Sequence, residues 1–451
     1  MNPSSFSRRS FLHRTLAVTG AAISPGIFVR RLTAAPGAIE QFTPDNDKIK
    51  RSRDAALAVL KPSAKDLEHG LRLHAESLVF ESYGFAPRFA LDGEAFGKAA
   101  ADGATEAELT DLREEMSMTR GATSAVERAE FLEAFRAAGV TCIFQNAGEE
   151  GNDPLRLIKR LSRFTHLTDL MRTDLFKAAK PDDVVAAKKD GRLCLYLTGN
   201  GVPLRQQWES TRDELRLIRT FFDLGIRMMH LTYNRRNPMG DGAGEANDGG
   251  VSDFGKEVIA EMNRVGVIVD VAHSGWRTSL EAAKASHKPM VASHTTCAAL
   301  HKHIRAKPDE VIKAICDTGG LIGICCIGDF LGGKHDISAM MDHIAYGVKT
   351  FGAEHLAIGT DVAYVSRNED AERKKVPFRP GKSPLASRAD KWEHLWPPGS
   401  TATLPDGFET LAWTNWPLFT VGMVQRGIND ADIRKILGEN VLRVAKANFN
   451  G

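Results

Sequence analysis

The apolar, β-branched run 267–272 ends on His273, and twenty-one residues later the run 289–293 ends on His294. A lone histidine closing a buried strand is most simply a hydrogen-bonded core residue. Two at matching strand ends aim two imidazole nitrogens into one pocket, the donor type that suits a divalent metal such as zinc. A third run closes on Asp361, a carboxylate able to take a proton from an activated water and return it to a leaving amine; capping the next turn is its plainer role. In the basic stretch 301–305, Arg305 offers a guanidinium that could clamp a substrate carboxylate through two parallel hydrogen bonds, and a solvated basic loop is the rival reading.

Eight short runs rich in apolar and β-branched residues position these groups: 78–82, 140–145, 193–198, 227–232, 267–272, 290–293, 321–325 and 356–360. Between them lie stretches with apolar residues every three or four positions, as in 212–224 and 254–264, which read as amphipathic helices. Eight strand-helix units imply an α/β chain folded as a closed (β/α)8 TIM barrel, with a doubly wound open sheet as the competitor. Two stretches exceed a compact connection. One is an Ala-, Gly- and Glu-rich insertion at 86–125, and the other a polar, Pro- and Lys-rich loop at 365–405. Both would rise from the carboxyl face of a barrel, where they are candidate lids. A closing helix is expected over 430–449.

The 451 residues carry 59 basic and 57 acidic side chains, a balance that gives no bulk signal for a nucleic-acid partner. Residues 1–35 hold five arginines and no acid, so 59 minus five leaves 54 basic against 57 acidic groups in the body, a net −3. Ser7, Arg8, Arg9, Ser10, Phe11 and Leu12, followed by a short weakly apolar stretch and small residues at 33–35, resemble a twin-arginine export signal. The expected division is therefore an export signal and linker at 1–40 and one catalytic domain over 41–451, in a bacterial periplasmic or extracellular protein. No stable membrane span is expected. Six cysteines without a Cys-x-x-Cys pair support neither a thiolate metal module nor a disulfide scaffold, and read as small buried apolar residues. The glycine-rich 240–244 lacks the context of a phosphate loop and reads as a flexible loop.

Taken in order, residues 231–238, 248–252, 261–264, 270–275, 293–294, 358–361 and 437–444 resemble the membrane (renal) dipeptidase family. The resemblance implies a barrel of the metal-dependent hydrolase type with two zinc ions, whose bridging hydroxide attacks a dipeptide bond. It puts the second-metal ligands on His273 and His294, the carboxylate-binding arginine on Arg305 and the proton-shuttling aspartate on Asp361. It also implies departures. Where the family's first strand supplies a metal-binding His and Asp, this chain has Tyr83 and Phe85 within 81–85; Thr198 stands at the bridging glutamate, and Tyr233 replaces the histidine that polarises the substrate.

Two dications a few ångströms apart need anionic ligands between them, and two such charges are missing here. The expectation is thus one divalent metal, zinc by donor type, and not a two-metal centre. On it would act a hydrolase cleaving a dipeptide or another carboxylate-bearing amide, with Asp361 and Tyr233 catalytic, Arg305 binding substrate, and His273 and His294 holding the ion. Two alternatives stand beside it. One is a non-catalytic or altered-chemistry homologue that binds a small carboxylated ligand; the other is metal-free catalysis by Glu81, Tyr83 and Asp361 near Tyr233. The expected partner is a small molecule or dipeptide with a carboxylate, with a homodimer left open and no nucleic acid.

Overall fold

The computed structural model describes residues 45–148, 151–377, 392, 395–397 and 407–450. The export signal expected at 1–40 and most of the loop expected at 365–405 lie outside the described residues.

All eight expected strands form. They are β1 (Phe80–Gly84), β2 (Cys142–Asn146), β4 (Leu193–Gly199), β5 (Ile226–His230), β6 (Ile268–Asp270), β7 (Val291–Thr295), β8 (Leu321–Ile324) and β9 (Leu356–Ile358). A short strand not anticipated from the sequence, β3 (Leu175–Lys177), pairs with the outer end of β4. The path runs β1-β2-β4-β5-β6-β7-β8-β9, every neighbour parallel, which is the strand order of a (β/α)8 TIM barrel. β9 meets β1 through side-chain and loop contacts: Thr360 N donates to Glu81 Oε1 at 3.0 Å, and Asp361 N to the Tyr83 carbonyl at 3.4 Å.

Local chemistry sets the helices between strands. The segment Asp253–Val265 starts at Ser252, whose hydroxyl accepts from Gly255 N at 2.9 Å, and stops at Gly266, where φ is +103°. Its buried face, Val258, Ile259, Met262 and Val265, repeats every three to four residues and packs on the barrel wall. The closing helical region over Asp430–Asn448 is interrupted at Gly438, where a Cβ would sit 2.5 Å from the Leu78 carbonyl. Glycine there lets the C-terminal segment reach the bottom of the barrel.

Inside, the two-residue period of the strands produces layers. Phe80, Phe144, Tyr196, Met228, Ile268 and Leu321 form one apolar cluster with Val441 and Val444 of the closing helix. Two residues further along the same strands come Ser82, Asn146, Thr198, His230, Asp270 and Gly323, all fully or almost fully enclosed. The change from apolar to polar between these layers marks where core becomes site.

The insertion after β1 is helical over Gly93–Ala101 and Glu106–Thr119. It is fastened to the segment after β9: Leu91 N donates to Glu369 Oε2 at 3.0 Å and Gly93 N to Glu372 Oε2 at 2.9 Å. All six cysteines are buried and unpaired by disulfides, as their apolar surroundings imply. Among the described residues no helix is long and apolar enough to cross a membrane.

Candidate metal centre and active site

Register puts His230 of β5 directly beside Asp270 of β6. Asp270 Oδ1 accepts from the backbone amides of Ala272 at 2.9 Å and Ser293 at 3.0 Å, and Oδ2 accepts the Ser293 hydroxyl proton. Burial pushes this carboxyl upward, yet the His230 imidazole and the Ser293 donors outweigh it and hold Asp270 below the usual carboxylate range. Asp270 is thus a charged group at the centre of the polar layer.

That charge fixes the tautomer of His294. Ser293 has one hydroxyl proton and gives it to Asp270, so its oxygen accepts from His294 Nδ1–H, 2.9 Å away. His294 Nε2 is left as a bare lone pair. His273 Nδ1 lies 2.8 Å from Asn234 Oδ1 and, facing a carbonyl oxygen, carries the proton; its Nε2 is bare as well. The two Nε2 atoms face each other at 3.0 Å. With Asn234 Oδ1 facing His273 neither can donate to the other, and the two lone pairs face one another. Burial, then the positive charge of Arg305, pushes both imidazoles well below their ordinary pKa, so both are the neutral form that ligates metal.

Two aromatic rings flank the pair. Tyr233 stacks on His273 and Tyr83 on His294, each with ring centroids 3.9 Å apart. The stacked faces lie across the ring planes and leave the in-plane lone pairs accessible. Arg305, 1% exposed, donates from Nη2 to the His294 carbonyl at 3.2 Å and from Nε to that of Ala272 at 3.4 Å, and its guanidinium lies over Phe330. Asp361 sits one position past Thr360 in the left-handed region, φ +59°, a conformation an aspartate holds at some cost and that recurs at functional sites. Its amide meets the Tyr83 carbonyl, and the Tyr83 ring covers His294. Four of the five residues singled out in the sequence therefore touch one another, and Asp361 joins them through Tyr83.

The β1, β2 and β4 side differs. The Tyr83 hydroxyl donates to Asn200 Oδ1 at 2.7 Å and accepts from Asn146 Nδ2 at 3.0 Å. Thr198 Oγ1 donates to the Met228 carbonyl at 3.0 Å. Glu81 accepts from Thr360 and from Trp413 Nε1 at 2.8 Å, and burial raises its carboxyl to about 8 against those donors. Phe85 lies edge-on to Tyr83. Among the described residues, the donors able to hold a metal come together in one group of three, His230, Asp270 and His294.

Sequence reasoning gave no role to His230, Asp270, Ser293 or Asn234, although the last three lie in the runs that carry the resemblance. His230 lies inside the run 227–232 rather than at its close, and only in the structure does β5 end on it. The glycine-rich 240–244 is a fastened turn rather than a flexible loop: Ala243 N donates to the His273 carbonyl at 2.7 Å, and a Cβ on Gly242 would meet the Tyr233 carbonyl at 2.1 Å. It braces both His273 and Tyr233.

The sequence profile of the membrane dipeptidase family, peptidase family M19, matches residues 99–373, more than half of the chain. An uncharacterized dipeptidase of Schizosaccharomyces pombe is 31% identical over 189 residues, which is 40% of this chain and 44% of that relative, so the chain is matched to less than half of its length. Among solved structures, an amidohydrolase from Pseudomonas aeruginosa shares 24% identity at a TM-score of 0.59, over 85% of this chain and 99% of that one. The probable dipeptidase PvdM from the same organism shares 18% at 0.56, over 85% and 98%. A metallo peptidase from Rhodobacter sphaeroides, solved with a phosphinate mimic of the dipeptide L-Ala-D-Ala, shares 15% at 0.57, over 83% and 100%. These structures share the fold. With the barrel, its strand-end histidines and the profile match in view, the chain belongs to the membrane dipeptidase family, peptidase family M19.

Proposed function

We propose that this chain is a hydrolase that uses one divalent ion, zinc by the character of its donors, to cleave a dipeptide or a related amide bearing a carboxylate. The observation that carries this reading is the pair of buried Nε2 atoms converging at 3.0 Å, both bare when Asn234 Oδ1 faces His273. When bound, such an ion supplies Lewis acidity toward a carbonyl oxygen and toward water.

The chain's own residues would do the rest. His273 and His294 hold the ion, in the orientation that Asn234 and Ser293 impose on them. Arg305 grips the substrate carboxylate with the guanidinium edge not used by the two strand-end carbonyls. Tyr233, fixed by its stack on His273, donates its phenol to the scissile carbonyl oxygen as charge develops. Asp361 takes a proton from the attacking water and delivers it to the departing amine. The fastened segments after β1 and β9 would cover the mouth, and residues 1–40 would direct the folded chain through twin-arginine export to the periplasm or exterior.

Release of amine from a panel of dipeptides and N-acyl amino acids, measured before and after chelation and after zinc is restored, tests the proposal. Chelatable turnover supports it; absence of turnover from metal-loaded protein defeats it. A second reading has one observation in its favour. Asn234 Nδ2 is buried with no hydrogen-bond partner among the described residues. With that amide turned over, Nδ2 would donate to His273 Nδ1, and His273 Nε2–H to His294, closing the network without a cation and leaving a ligand-binding barrel. Chelatable turnover favours the first reading, and absence of both bound metal and turnover favours the second.

A further inference from the structure

His230 is fully enclosed, and neither of its ring nitrogens has a hydrogen-bond partner among the described residues. Its Nε2 comes to 2.8 Å from Asp270 Oδ2 without the alignment of a hydrogen bond. Buried imidazoles are normally satisfied, so an orphan beside a carboxylate points to a partner that is not a hydrogen-bonding side chain. The donor atoms of His230, Asp270 and His294 all lie within 4.8 Å of one another, and all three residues are inaccessible to solvent.

We infer that His230 and Asp270 are the deep ligands of a single divalent cation that His294 shares with them and that His273 meets from the mouth side. The inference rests on the metal-dependent reading above and deepens it. Two imidazoles and a carboxylate form a donor set common to catalytic zinc sites. Asp270 supplies the negative charge that a dication needs away from water, and that is lost on the β1 and β4 side with Tyr83, Phe85 and Thr198. Ser293 bonds both Asp270 and His294 and so orients two ligands at once, which is the role of an outer shell around a metal. The cation site is thereby built on β5, β6 and β7, with His230 standing in for ligands that the first strand no longer provides.

The test is titration of the metal-depleted full chain with cobalt(II) alone, following the visible d–d absorption, with zinc competition for affinity. The wild-type chain should take up one equivalent with an intense, low-symmetry band. His230→Ala and Asp270→Asn should each weaken binding about 100-fold or more and change the band, while Thr198→Val leaves both unaltered. If His230→Ala and His230→Gln bind with wild-type affinity and spectrum while His294→Ala does not bind, the inference falls and the two-histidine reading survives. If the wild-type chain takes up neither cobalt nor zinc, both fall. Should the His230 variants fail to fold, imidazole ¹⁵N shifts of the wild-type chain decide: a His230 nitrogen moving to a metal-bound position on zinc addition supports the inference, and an unmoved one overturns it.

Discussion

On the β1, β2 and β4 side of the barrel mouth the polar atoms are tied to one another, whereas on the β5, β6 and β7 side nitrogens are left over. Tyr83 bridges Asn146 and Asn200, Thr198 is bonded to backbone, and Glu81 is caged by Thr360 and Trp413. Near the same polar layer, the Nε2 atoms of His273 and His294 face each other, and His230 approaches Asp270 without an aligned hydrogen bond and has no other hydrogen-bond partner among the described residues. The first arrangement is a packed, internally bonded polar core, and the second is the donor set on which the metal-dependent proposal rests. The difference teaches that one barrel mouth can hold a side whose buried polar groups satisfy one another beside a side whose nitrogens do not.

The comparison breaks most readily at His294. His294→Ala should abolish both bound metal and amide cleavage, as read by elemental analysis and amine release, because it removes the nitrogen common to both donor pairs. Asp361→Asn should lower kcat by about 10²–10⁴ with metal content unchanged, separating proton transfer from ion binding. Arg305→Lys should raise KM by about ten-fold or more for carboxylate-bearing substrates and leave substrates lacking that group unaffected, since an ammonium cannot reproduce the planar two-pronged contact.

Smaller effects are expected on the satisfied side, and they should appear in stability rather than metal content. Tyr83→Phe leaves Asn146 and Asn200 without their bridge and should cost about 1–3 kcal/mol in urea unfolding. Glu81 is ordinarily a 4.5 carboxyl and is raised to about 8 in the folded chain. Between those values the folded chain keeps a proton that the unfolded chain has given up, so its contribution to stability falls as pH rises. Glu81→Gln should remove a slope of about 1.4 kcal/mol per pH unit in that window, measured by unfolding at pH 5 to 8.

The barrel was legible because strand ends and helical spacing repeat eight times, and because β-branched runs this short have few other uses. His273, His294, Tyr233 and Arg305 were legible through motifs, and the structure brings them into contact. His230 and Asp270 were not, because their pairing depends on register between β5 and β6, which no local pattern encodes. β3 was missed for a related reason: Leu175, Phe176 and Lys177 are too few to show a period. Nor did spacing disclose that Thr198 turns its hydroxyl to a backbone carbonyl.

The central claim is that one side of this mouth binds a cation and the other does not. Metal content per chain, measured by mass spectrometry on protein purified folded and without chelator, tests it most directly. The account predicts about one divalent ion per chain, lost in His294→Ala and retained in Thr198→Val. Two ions per chain, or none after incubation with zinc, would contradict it.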